Sequence, residues 1–82
     1  MGRYYSINFG LGNAFEGLFE DIGEAKSYAE ENVELNRQHI KIRDDEGKLL
    51  STSHWNGVAP TADEDVLVDF GKHGYYSNWM DV

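Results

Sequence analysis

The segment DIGEAKSYAEENVEL, residues 21–35, decides the fold class of this chain of 82 residues. Asp21 is a residue type that caps helix N-termini, and Glu24 three positions later completes the pattern of a capping box. The apolar residues then recur with helical spacing on one stripe, which consists of Ile22, Ala25, Ala29 and Val33, with Tyr28 beside it. This periodicity predicts an α-helix over residues 22–35, ending close to Asn36, with one buried face.

Alternation of apolar and polar residues before this helix predicts a β-hairpin. Tyr5, Ile7 and Phe9 alternate with polar or exposed positions, which is the pattern of a strand with one buried face. A glycine-containing loop follows, and the next short run, residues 15–19, places Phe15, Gly17 and Phe19 on a common face. The two runs therefore predict a pair of antiparallel strands.

The same alternation after the helix predicts three further strands. Residues 38–55 read as a hairpin that turns at residues 44–47, where Gly47 suits a left-handed backbone. Residues 66–70 alternate again and predict a fifth strand, whereas the tail is too irregular for one element. The order β-β-α-β-β-β predicts an α+β fold in a single domain, residues 1–82, with one helix on an antiparallel sheet of four to five strands. The expected buried residues are Ile22, Ala29, Val33, Ile40, Ile42, Val66, Val68 and Phe70.

The composition restricts the classes of partner. The chain has 15 acidic and 7 basic residues and a net charge of −8, whereas binding to a nucleic-acid backbone requires lysine and arginine. The acidity is explained either by solubility or by a surface directed at a basic partner. Cysteine is absent, no run is long enough for a membrane span, and the first residues lack an apolar signal core. We therefore expect a cytoplasmic protein without membrane contact and without direct contact to nucleic acid.

The residue pattern does not favour catalysis, a metal site or a cofactor. The three histidines, His39, His54 and His73, lie on separate elements without the spacing of metal ligands. Ser53 and His54 are adjacent in a predicted strand, so their side chains point to opposite faces and do not form a nucleophile and base pair. The sequence thus predicts no enzyme, no metal and no cofactor.

The distribution of acidic residues along the helix is the first functional signal. Glu30, Glu31 and Glu34 lie towards its predicted C-terminal half, where the helix dipole disfavours negative charge. Glu30 and Glu34 would also form a like-charge pair four residues apart. An ordinary solvated face remains the alternative interpretation. The candidate partner-binding residues are the carboxylates of this helix and of the acidic loop, namely Glu24, Glu30, Glu31, Glu34, Asp63, Glu64 and Asp65.

Large aromatic residues near the C-terminus are the second signal. Trp55, Tyr75, Tyr76 and Trp79 lie among turn-forming residues. They predict either the end of a small core or a partner-binding patch, because tryptophan and tyrosine dominate the energetics of interfaces. Such a patch would suit a ligand-binding or scaffolding module, which is the alternative hypothesis.

Several short segments together resemble small acidic proteins encoded by bacteriophages and other mobile elements. They are HWNG (residues 54–57), DFG (69–71), GYY (74–76) with Trp79, and the segment FEGLFED (15–21) before the helix. The resemblance implies a host-defence inhibitor, such as an anti-CRISPR or antirestriction protein that mimics DNA with its carboxylates. The leading hypothesis is a non-enzymatic phage protein in the bacterial cytoplasm that inhibits a basic, nucleic-acid-handling host protein; its oligomeric state stays open.

Overall fold

A computed structural model describes residues 2–10, 12, 14–34 and 37–82 of the chain. It confirms the predicted α+β class, since one helix lies on one face of an antiparallel sheet. The elements in chain order are β1 (Arg3–Asn8), β2 (Ala14–Phe19), α1 (Ile22–Asn32), β3 (Ile40–Asp44), β4 (Leu49–Ser53), β5 (Trp55–Asn56), β6 (Val66–Asp69), a 3-10 turn (Gly71–His73), β7 (Tyr75–Ser77) and β8 (Met80–Asp81). No helix among the described residues is long and apolar enough to cross a membrane.

The strands form two sheets rather than one. The main sheet has five strands in the order β2-β1-β3-β4-β8, and a smaller sheet has three in the order β5-β7-β6. One strand was predicted to continue to Trp55, but the structure divides it at His54 into β4 and β5. The division occurs because the backbone N–H of Trp55 donates to His39 Nδ1 (2.8 Å) and not to a neighbouring strand of the main sheet. The strand predicted at residues 66–70 is β6, which lies in the smaller sheet. The fifth strand of the main sheet is β8, which comes from the C-terminal tail, where the sequence showed no strand pattern.

The first hairpin agrees with the sequence prediction. β1 and β2 pair in regular antiparallel register, with Ile7 opposite Phe15 and Arg3 opposite Phe19. Phe15 and Phe19 both contact the ring of Tyr28 in the helix, with centroids 4.4 and 5.6 Å away. The predicted common face of β2 is therefore the face that meets the helix.

Helix α1 is shorter than predicted. It begins at Ile22 with Asp21 as its cap, but Val33 is already extended (ψ 136°) and its N–H closes the last turn on the Ala29 carbonyl oxygen. The Asn32 side chain donates to the Tyr28 carbonyl oxygen (2.8 Å), so it competes with the backbone N–H groups for a carbonyl of the last turn. Leu35 and Asn36, where the helix was predicted to end, lie outside the described residues.

The core lies between the main sheet and the helix and extends to the smaller sheet through Tyr76. Its buried members are Tyr5, Ile7, Phe9, Phe19, Ala25, Ala29, Ile40, Ile42 and Tyr76. Of the residues expected to be buried, Ala29, Ile40 and Ile42 are buried completely. The others are only half-buried: Ile22, Val33, Val66, Val68 and Phe70. Val66, Val68 and Phe70 lie in or directly after β6. They are partly exposed because β6 is an edge strand of the smaller sheet.

Candidate functional site: an acidic surface beside the C-terminal segment

The C-terminal segment, residues 77–82, lies along one side of helix α1. Trp79 Nε1 donates to Glu30 Oε1 over 3.0 Å, and Lys26 Nζ forms an ion pair with Asp81 Oδ1 over 2.8 Å. Lys26 and Glu30 are four residues apart and so lie on the same helix face. These two contacts fix the segment against the helix.

Two buried serines hold the same segment from the sheet side. Ser51 Oγ donates to Asp81 Oδ1 (2.9 Å), and Ser53 Oγ donates to the Ser77 carbonyl oxygen (2.7 Å). The pKa of the Asp81 carboxyl lies below its ordinary value; the hydrogen bond from Lys26 is the largest cause, and the hydrogen bond from Ser51 is the next. From the sequence, Ser53 was considered only as a possible nucleophile, and the structural role of the two serines was not predicted. The available signal was their spacing, since residues 51 and 53 share the inward face of β4.

The acidic residues at the start of the helix serve as caps. Asp21 Oδ1 accepts from the backbone N–H of Glu24 (2.9 Å), and Glu24 Oε2 accepts from the backbone N–H of Glu20 (3.1 Å). The first bond is the cap predicted from the sequence; in the second, Glu24 binds the N–H of the residue before the cap, whereas in a standard capping box it would bind the N–H of Asp21 itself. Glu24 is exposed, but one of its oxygens is already used by the helix itself.

The three glutamates predicted to face a partner are not equivalent. Glu30 is half-buried and accepts the hydrogen bond from Trp79, whereas Glu31 and Glu34 are exposed. Within the described parts of the chain, the side chains of Glu31 and Glu34 have no hydrogen bond and no ion pair. Because the helix ends at Asn32, Glu34 lies beyond its last turn, and the expected helical pair of Glu30 and Glu34 is not formed.

The acidic loop reaches the same C-terminal segment from the other side. Asp63, Glu64 and Asp65 are all exposed. The Asp65 carboxylate accepts from Asn78 Nδ2 (3.2 Å), and its carbonyl oxygen accepts from the Asn78 N–H (3.1 Å). Asn78 precedes Trp79, which contacts the helix. The loop and the C-terminal half of the helix therefore flank residues 78–79.

We define the acidic surface as six exposed carboxylates of the helix region and of the acidic loop: Glu24, Glu31, Glu34, Asp63, Glu64 and Asp65. Lys26 is the single basic residue between positions 20 and 36, and it is already paired with Asp81. Across the described residues, no other lysine or arginine lies within ion-pair distance of a carboxylate. Within the described residues, the carboxylates of the acidic surface thus form no ion pair with a lysine or an arginine.

The aromatic residues of the alternative hypothesis are used mainly inside the fold. Tyr76 is completely buried and its hydroxyl donates to the Gln38 carbonyl oxygen (2.8 Å); Tyr75 is buried as well. Burial and, secondly, a hydrogen bond to Glu64 raise the pKa of the Tyr75 hydroxyl. Trp55 is half-buried with its ring 5.1 Å from that of Tyr76, and Trp79 is half-buried beside Glu30. Only parts of the two tryptophans reach the surface.

His39 and His54 lie together at the junction of the two sheets, where His39 has a structural role. The rings of His39 and His54 lie 4.7 Å apart, and His39 Nδ1 accepts the Trp55 N–H at the junction of the two sheets. Desolvation, followed by the nearby His54 and Lys41, lowers the pKa of His39. This favours the neutral ring, which alone can accept at Nδ1. In the described part of the chain, no group of three or more His, Asp or Glu side chains is arranged to hold a metal ion.

Comparison with known proteins does not identify a similar protein. No protein-family model, no curated protein sequence and no solved structure matches the chain. The interpretation of the acidic surface therefore rests on its own geometry and charge.

Proposed function

We propose that this chain is a non-enzymatic binding protein whose acidic surface contacts a basic surface of a nucleic-acid-handling protein. The observation that carries the proposal is the exposure of Glu31, Glu34, Asp63 and Glu64, none of which forms an ion pair with a lysine or arginine of the described residues. A partner with arginine and lysine side chains would supply the missing positive charge. Electrostatic complementarity of this kind contributes mainly to specificity and to the rate of association.

Rigidity supports this proposal. The segment between the two groups of carboxylates is held by Ser51, Ser53 and Lys26, and Glu30 is fixed by Trp79. Carboxylates on a fixed frame lose less conformational entropy on binding than carboxylates on a mobile tail. An array of negative charges on such a frame is what a surface that normally binds phosphates would recognise.

The resemblance to phage-encoded proteins suggests where such a partner would be found. In this proposal the protein acts in the bacterial cytoplasm as an inhibitor of host defence, in the manner of anti-CRISPR or antirestriction proteins that mimic DNA. The alternative, a ligand-binding module with an aromatic patch, gains no support from the burial of Tyr75 and Tyr76.

Neutralisation of the acidic surface tests the proposal. We expect the variant Glu31→Gln, Glu34→Gln, Asp63→Asn, Glu64→Gln to stay folded, with a melting temperature no lower than that of the wild type, because these side chains are exposed. The immobilised wild type should retain a basic protein from bacterial lysate at about 50 mM salt and release it at about 500 mM, since salt screens such contacts. The variant should bind that purified protein at least about tenfold more weakly, which corresponds to about 1.4 kcal/mol.

A matched control separates a local surface from general acidity. Asp45 and Glu46 are exposed in the turn between β3 and β4, outside the acidic surface. Asp45→Asn combined with Glu46→Gln changes the net charge without touching the acidic surface, and we expect it to leave the affinity almost unchanged. Equal losses for the two variants, or retention of the partner at high salt, would contradict the proposal.

A further inference from the structure

The outer edge of β2 is the longest strand edge without a neighbour in the described part of the chain. β2 has six residues and ends the main sheet, whereas β8 at the opposite end has two. A free edge presents unpaired backbone N–H and C=O groups, and soluble proteins commonly protect it with lysine, proline or a bulge. The sequence of β2, AFEGLF, contains no lysine or proline, and its register with β1 is regular throughout.

This edge is nearly symmetric about Gly17. In the sequence FEGLF, residues 15–19, Phe15 and Phe19 lie at equal distances on either side of the glycine. When two such strands lie antiparallel with their Gly17 residues opposite each other, Phe15 of one faces Phe19 of the other. Residues opposite each other in an antiparallel pair share a face, so the buried faces of both sheets stay on the same side.

The neighbouring registers are less favourable because of charge. A pairing centred on Glu16 would place the two Glu16 carboxylates opposite each other, and one centred on Leu18 would place Glu16 opposite Glu20. Like charges in directly opposite positions destabilise a strand pair. The register centred on Gly17 places Glu16 opposite Leu18 instead, which avoids this repulsion.

Local packing around Gly17 also suits a second strand. A Cβ atom on Gly17 would lie only 2.9 Å from Cε1 of Phe15, so the Phe15 ring lies over the glycine. A glycine within a strand often marks the close approach of another backbone, and an aromatic ring across it compensates for the missing side chain. Phe15 and Leu18 remain 38% and 72% exposed, which leaves apolar surface that a second strand would cover.

We propose that a second copy of this chain is the partner of β2, and that two chains form a two-fold symmetric dimer by antiparallel pairing of β2 about Gly17. The two sheets of five strands would then become one continuous sheet. The symmetry makes every contact occur twice, which suits a strand that is complementary to itself. This inference is independent of the proposed function, because its test needs no other protein.

Sedimentation velocity over a range of protein concentrations tests the dimer. The mass of the wild type should rise with concentration from 9.3 kDa towards twice that value. Leu18→Glu should raise the dimer dissociation constant about tenfold, because it places a carboxylate opposite Glu16 at two equivalent positions. Leu18→Lys should lower it several-fold, because it creates two ion pairs with Glu16 in this register.

Met80 provides the matched control. It is 58% exposed on the same open face of the sheet but at the other edge, in β8. Met80→Glu should leave the dissociation constant unchanged, and thermal melts at low concentration should show that all variants are folded. A wild type that stays monomeric up to about 1 mM overturns the proposal. So does a dimer that responds to Met80→Glu, or one that responds to Leu18→Glu and Leu18→Lys in the same direction.

Discussion

At the residue scale, the hydrogen bond from the Trp55 N–H to His39 Nδ1 makes stability depend on pH, because it requires a neutral His39 ring. The folded chain favours neutral His39, so its pKa is lower in the folded state than in the unfolded state. The associated stability is present above the unfolded pKa, about 6.5, and is lost as the pH falls towards the folded pKa. We expect the free energy of unfolding, measured with urea, to decrease between about pH 7 and pH 5.5.

Substitution identifies the group responsible for this dependence. His39→Gln should lower the stability at pH 7 and flatten the profile, because it removes the titrating acceptor. His73→Gln serves as the control, since His73 is exposed in the 3-10 turn. An unchanged slope in His39→Gln would show that other groups cause the pH dependence.

Single residues also show where sequence reasoning reached its limit. The capping pair Asp21 and Glu24 was predictable because its contacts lie within four residues. The contact of Glu30 with Trp79 joins residues far apart in the chain, so the helix pattern gave no sign of it. Glu30 consequently differs from Glu31, although both were predicted to contact a partner.

At the scale of elements, local pattern predicted the helix and both hairpins, whereas tertiary contacts decided the rest. β8 has two residues, too few for a period to show, and it forms because β4 offers an edge and Ser51 binds Asp81. The end of α1 was also set by contacts outside the apolar stripe. The apolar pattern continues to Val33, yet the side chain of Asn32 competes for a helix carbonyl.

Removal of residues 77–82 tests how much the C-terminal segment contributes to stability. The truncation removes Trp79 and leaves the buried hydroxyls of Ser51 and Ser53 without their acceptors. Loss of a half-buried tryptophan and of these bonds should cost about 3 kcal/mol, which lowers the melting temperature of a domain of this size by more than about 10 °C. A chain lacking only Val82, whose side chain is 83% exposed, is the control. Equal melting temperatures for the truncated chain and the wild type would contradict the packing described here.

At the scale of the whole molecule, the dominant property is uncompensated negative charge. The net charge is −8, and among the described residues a single ion pair, between Lys26 and Asp81, joins a side-chain cation to a carboxylate. Self-repulsion therefore outweighs the attractive pairs that salt would weaken. The excess of negative charge could be predicted from the composition. The positions of the charges could not, because the contact of Asp65 with Asn78, for example, depends on how the C-terminal segment folds.

This balance predicts that salt stabilises the fold. Raising NaCl from about 10 to 150 mM shortens the screening length from about 30 to 8 Å, so carboxylates on neighbouring elements repel each other less. We expect the melting temperature to rise by a few degrees, measured at low protein concentration to avoid association. The variant with four neutralised residues of the acidic surface should melt higher than the wild type at 10 mM and respond less to salt, because the repulsion has already been removed. A melting temperature that falls with salt in the wild type would mean that attractive pairs dominate and that the acidic surface is locally balanced.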